Sequence, residues 1–411
     1  MVHTSLLTSL LLLILSARLL GQLVERFNQP AIIGEMAAGI LLGPSVFGII
    51  HASPALQGIS ELAVFLVVLS AGLEMNFKDV MGVLKGRGVV VAILAFLLPL
   101  ILGIGVGLLF RFDPMRSFFL GLCLSITALP VSIRLLESMN LLNDRIGKYA
   151  IAAAIVSDLG ALLFLGIILT LPAQRTLASV ATSIGLTGAK LIGLVSLVLV
   201  INWILEKLPE MGVHVERFPE RMVRVFGAEA LFGIVVLFVL AFGSVSEALG
   251  FHFVIGAFFG GLLIDKKFFF ASRYSDLERT IHSVTGGFLA PVFFAYLGLE
   301  FNFTAVESFF FVALVLLVSM GSKILAGRLG GILTGLPKME SYGIGVMLNG
   351  RGVMDLVVAS IALQRGFIEQ GLFSTLVLVG VTSTVVTPFL FRKWILPKLE
   401  HSTNPPVEAQ V

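Results

Sequence analysis

The sequence predicts an all-α polytopic membrane protein of about thirteen transmembrane helices, and three observations predict it. Apolar runs long enough to cross a bilayer, about twenty residues each, recur from one end of the 411-residue chain to the other. Only 13% of the residues are charged, against about 25% in a soluble domain, and the mean hydropathy is +1.03. Lysine and arginine crowd into every second connection, as the topology of an inserted chain demands.

The spans fall at roughly 4–23, 30–50, 58–74, 88–110, 115–138, 148–170, 180–205, 226–246, 250–264, 283–300, 306–333, 341–364 and 371–391. The first run, SLLTSLLLLILSARLLGQL, lacks a basic start and an A-x-A cleavage site, so it reads as a span and not a cleaved leader. With the N-terminus outside, the inside loops hold twenty lysines and arginines and the outside loops four. Arg134, Lys190, Lys323 and Arg351 fall within spans. This places the C-terminus in the cytoplasm of a multi-pass cell (inner) membrane protein.

Other classes are excluded or unsupported. A net charge of +3 gives no footprint for nucleic acid. The single Cys123 makes no disulfide framework, the six histidines show no metal-ligand spacing, and no cofactor or enzyme motif is present. Glu35 and Glu61 sit near span ends and read as interfacial.

Asp158 is the exception to the apolar pattern. It lies at the centre of YAIAAAIVSDLGALLFLGIILTL in the sixth span, where an acid costs about 2.5–3.5 kcal/mol on insertion scales. A carboxylate there is held up by desolvation and down by nearby oxygens or a cation. It can carry a proton or a small cation such as Na⁺ or K⁺, the minimum equipment for exchanging one for the other. The plainer reading pairs it with Lys323 or Arg351.

The two halves echo each other. GLEMNF (72–77) ends the third span and GLEFNF (298–303) the tenth. One span earlier, IGEMAAGIL (33–41) and IGAFFGGLL (255–263) both place glycines five apart. An offset of seven spans puts the copies in opposite orientations, as in an inverted repeat of six spans, one linker span and six more. The breaks match as well. Pro130 interrupts the fifth span in SITALPVSIR (125–134), behind Thr127. Seven spans later, LNGRGVMD (348–355) is a poor continuous helix at Asn349, Gly350 and Arg351. Matched interrupted helices are the best sequence pointer to a transport site. Arg351 and Asp355 are four apart and either pair with each other or, for Arg351, neutralise carbonyls at the crossing. Lys323 either balances a carboxylate or snorkels to the inner surface.

The stretches PAIIGEMAAGILLGPS, LSAGLEMNF, SITALPVSIRLLE, AAAIVSDLGALL, PVFFAYLGLEFN and LNGRGVMDLVV resemble, in order, the monovalent cation:proton antiporter-2 family. That group includes bacterial Na⁺/H⁺ antiporters and Kef-type K⁺/H⁺ exchangers. The resemblance implies a homodimer in the lipid bilayer, with a scaffold and a mobile core in which spans 5 and 12 cross. The expected division is scaffold over 1–80, core over 85–170, a linker helix over 180–206, scaffold over 225–301, core over 306–396 and a polar tail over 397–411. The resemblance puts the ion-binding aspartate on Asp158, the crossing threonine on Thr127 and the buried lysine on Lys323. Ser157 stands where electrogenic members carry a second acid, and no nucleotide-binding tail is expected. The expectation is antiport of Na⁺ or K⁺ against protons at Asp158 with Ser157 and Thr127. The competing readings are a cation channel or uniporter and a sodium-coupled symporter on a related fold.

Overall fold

The computed structural model describes all residues except 1–4, 28, 75–85, 129–131, 134, 137, 138, 140, 142, 143, 170–176, 209–216, 228, 307 and 404–411. The described residues are helical with no strand. Pro130 and the second half of the GLEMNF repeat therefore lie outside the described residues.

The helices are α1 (Leu6–Glu25), α2 (Ala31–Leu42), α3 (Pro54–Glu74), α4 (Gly88–Leu109), α5 (Pro114–Ser125), α6 (Arg145–Leu169), α7 (Leu177–Lys207) and α8 (Arg217–Phe226). They continue with α9 (Glu229–Ala248), α10 (Phe253–Leu262), α11 (Ala271–Val284), α12 (Ala290–Glu300), α13 (Phe309–Thr334), α14 (Lys338–Met347), α15 (Val353–Gln364) and α16 (Gln370–Leu390). A helix or broken helix lies at every place the hydropathy marks. Among the described residues, nine are long and apolar enough to cross a membrane. The others are shorter than drawn from sequence: the span expected over 30–50 is helical only to Leu42. The span expected at 283–300 instead begins at Ala271 and runs through a π turn at Thr285–Leu289. A second π turn, Phe391–Ile395, continues α16. Each lies beside a proline, Pro291 or Pro388, which removes one rung of the regular ladder.

Packing falls into two groups. One joins α1, α2, α3, α9, α10 and α12; the other joins α4, α5, α6, α13, α14, α15 and α16. They meet where α6 touches α10 and α15 touches α3. Glycines let backbones approach inside each group, as small residues do between membrane helices, and they do so twice over. A side chain on Gly34 would strike the carbonyl of Leu20, fourteen residues back, and one on Gly256 that of Phe242, also fourteen back. Gly39 lies against the Ala295 carbonyl and Gly298 against that of Met36, so α2 and α12 interlock. Gly261 lies against the Leu69 carbonyl and Gly72 against that of Phe258, so α3 and α10 interlock in the same way. The second group repeats the device. Gly103 abuts Gly121 and Gly107 abuts Ser117, while Gly327 abuts Gly345 and Gly331 abuts Ser341. The echo between the halves is thus a set of equivalent backbone contacts, not only of letters.

Candidate functional site: two helix breaks that touch in the protein interior

α5 starts with Pro114 after Asp113, whose Oδ1 accepts from the Met115 N–H at 2.9 Å and the Arg116 N–H at 3.2 Å. It ends at Ser125, where Ile126 turns extended. The Ser132 N–H donates to the Ala128 carbonyl at 3.1 Å. α14 ends at Met347, and α15 starts after Gly352. The two breaks touch. Ala128 N–H donates to the Gly350 carbonyl at 3.0 Å, and the Thr127 hydroxyl donates to the Leu348 carbonyl at 3.2 Å.

Each half-helix end leaves carbonyls without intrahelical donors, and in lipid these must find partners within the protein. Arg351 supplies the α5 end. Its guanidinium donates to the carbonyls of Cys123 (2.5 Å) and Leu124 (3.1 Å) and to Ser319 Oγ (2.5 Å). Lys323, on α13, supplies the next carbonyl, that of Ser125. The Lys323 ammonium also donates to Ala95 O at 3.2 Å and to Thr127 Oγ1 at 2.7 Å. Asn349 closes the α14 end, its amide donating to Gly345 O at 3.0 Å and Val346 O at 3.3 Å. The negative end of the α5 dipole thus faces the head groups of Arg351 and Lys323.

Lys323 is fully buried. The snorkelling alternative is overturned: its head turns into the crossing, where three oxygens receive it. For Arg351 both alternatives hold. It neutralises carbonyl ends, and its NH1 lies 3.9 Å from Asp355 Oδ2. Asp355 Oδ1 in turn accepts from the Gly352 N–H at 3.0 Å, fixing the first turn of α15.

Asp158 is 3% exposed on α6, which packs against α4, α5 and α14. Ser157 is fully buried, and its Oγ has no hydrogen-bond partner among the described residues, nor does Asn349 Oδ1. Thr127 Oγ1 is more committed, since it gives its proton to Leu348 O and takes one from Lys323. One lone pair remains for any further ligand. Glu35, expected at an interface, is instead buried beside Gly21 of α1.

Sequence reasoning missed Ser319 and Thr384. Ser319 lies four residues before Lys323, hence on the same face of α13, which was a readable signal. Thr384 accepts the Arg351 N–H at 3.1 Å and has no such signal. A small cavity of about 20 Å³ opens between Met36 and Ile33 of α2 and Arg351, Asp355 and Thr384.

The fold and site define a helical membrane protein with two helix breaks that touch and a buried acid on a helix packed against them. The chain belongs to the family described as sodium/hydrogen exchanger, transmembrane, whose model matches residues 10–394. It is 27% identical over 393 residues to the probable Na⁺/H⁺ antiporter GerT of Bacillus cereus, covering 94% of this chain and 98% of that one. It is 25% identical to the Na⁺/H⁺-K⁺ antiporter GerN of Bacillus cereus, over 93% of this chain and 94% of that one. The fold matches the sodium proton antiporter MjNhaP1 from Methanocaldococcus jannaschii with a TM-score of 0.70 and 17% identity, over 95% of this chain and 97% of that one.

Proposed function

We propose that the protein is a secondary active antiporter that exchanges a monovalent cation, Na⁺ or K⁺, for protons by alternating access at Asp158. One observation carries the reading: a carboxylate buried at mid-helix on α6, which packs against the two interrupted helices, one closed by Lys323 and Arg351 and the other by Asn349. The relatives' names, Na⁺/H⁺ and Na⁺/H⁺-K⁺ antiporter, support the substrate class and leave both cations open. In this mechanism Asp158 holds either the cation or the proton, never both, and that exclusion is what couples the two flows. The Ser157 hydroxyl and the remaining Thr127 lone pair replace water around the cation. Asn349 supports the crossing.

The two packing groups serve as scaffold and mobile core. Rocking of the core against the α3–α10 face turns the site from one side to the other. We place the scaffold helices in a homodimer, the N-terminus outside and the C-terminus in the cytoplasm, in the cell's inner membrane. The basic residues of alternate loops support that orientation.

Asp158→Asn tests the mechanism, because it keeps the size and removes both the charge and the proton. The variant is expected to reach the membrane and to give no cation-dependent pH change in proteoliposomes. Wild-type exchange by the variant refutes the assignment.

A further inference from the structure

We infer that the corner closed by α8 is a binding site for an anionic phospholipid, whose acyl chain enters a cavity beneath the helix. The proposed orientation enters only in naming the leaflet, which is the cytosolic one.

α8 is amphipathic to an unusual degree for ten residues. Arg217, Arg221 and Arg224 recur at i, i+4 and i+7 on one face, while Pro219, Met222, Val223 and Phe226 recur on the opposite one. A short helix of that pattern lies in the plane of a membrane surface, with its apolar side down. Here the apolar side does not rest on a filled core. Pro219 and Met222 roof a cavity of about 210 Å³, with Leu205 of α7, Phe238 of α9, and Leu263 and Phe268 beyond α10. Every lining side chain is apolar. Water gains nothing there, whereas an acyl chain that enters takes its apolar surface out of contact with water.

The mouth lies at headgroup depth. Trp203, two residues before Leu205, is largely exposed, and the Lys207 ammonium sits 4.7 Å above its ring. Tryptophan in that setting marks the interface. The charge around the mouth selects the lipid. Glu206 and Asp265 are taken by Lys267 at 2.9 and 3.2 Å, and Glu220 by Arg273 at 2.9 Å. Arg217, Arg221 and Arg224 make no ion pair among the described residues. Three guanidiniums on one exposed face suit a phosphodiester with net negative charge, and they suit a zwitterionic headgroup less well.

The test uses the full chain purified in detergent. Bound lipid is counted by native mass spectrometry, and the melting temperature is followed as phosphatidylglycerol or phosphatidylcholine is added. Phosphatidylglycerol is expected to stay bound and to raise the melting temperature, with phosphatidylcholine at least tenfold weaker. Replacing Arg217, Arg221 and Arg224 together by Gln should erase the preference. Ile234→Trp, which fills the cavity from α9, should erase retention of either lipid. Equal binding of the two lipids by wild type, or undiminished phosphatidylglycerol binding by the arginine variant, overturns the proposal. The arginines are exposed, so that variant carries the test even where Ile234→Trp fails to fold. Exchange in phosphatidylcholine vesicles should survive in the arginine variant. The antiport reading therefore stands or falls separately.

Discussion

Thr127 shows how one hydroxyl ties two helices and a charge together. It donates to Leu348 O on one broken helix and accepts from Lys323 on α13. Thr127→Val keeps the branched shape and orphans a carbonyl and one ammonium proton. A buried group left without its partner costs about 1–3 kcal/mol. The variant should melt at a measurably lower temperature and need more cation for half-maximal exchange. Thr127→Ser should restore both, because the oxygen returns and only a methyl is lost. A Val variant with wild-type melting temperature and cation dependence would remove Thr127 from the crossing. The residue type and its place at the break were legible in SITALP. That it faces a lysine 196 positions away was not, since depth along a helix leaves its rotation open. The same ignorance of rotation left Lys323 between a buried and a snorkelling reading.

Between elements, the decisive contacts are backbone against backbone. Gly298 of α12 sits where a Cβ would collide with the Met36 carbonyl and crowd the Ile40 nitrogen at 2.8 Å. Neither can move without shifting α2. Gly298→Ala should therefore destabilise by about 1–3 kcal/mol, as overpacking does. Gly58, on α3, has nothing within 4 Å of its would-be Cβ. Gly58→Ala should stabilise by up to about 1 kcal/mol through helix propensity alone. Thermal unfolding in one detergent, read by intrinsic fluorescence, compares the two. Two shifts of the same sign would refute this account of the repeat. The spacing of Gly34 and Gly39 against Gly256 and Gly261 was readable before any coordinates, because close helix contacts need small residues at fixed intervals. The amphipathic α8 escaped notice. Its ten residues lie in a polar connection with a proline inside, and a hydropathy window long enough to find spans averages it away. The π turns escaped too, since a proline in a span marks a disturbance without saying which kind.

At the scale of the molecule, the buried charge decides whether exchange responds to voltage. Arg351 and Asp355 lie 3.9 Å apart, and each is further engaged by backbone groups. They are a fixed pair. That leaves Asp158 to exchange ligands and Lys323 to keep or lose its proton. A lysine that snorkelled to the inner surface would keep a hydrated, charged head, and the burial of Lys323 removes that support for its charge. The acceptors replace it. Ala95 O, Ser125 O and Thr127 Oγ1 all receive the Lys323 nitrogen. An ammonium has three protons for three oxygens. A neutral amine has two, so its formation would strand one buried acceptor at the crossing itself. Lys323 should then stay charged through the cycle, and with Ser157 in place of a second acid, one proton returns for each cation. Exchange in vesicles should run at the same rate with and without an imposed membrane potential, and a supported membrane should register no steady current. A current that reverses at the potential set by two protons per cation would show that Lys323 releases a proton when the cation binds. If Lys323→Gln then became electroneutral while still exchanging, the lysine would be the second proton carrier and the three-oxygen seat only its resting place.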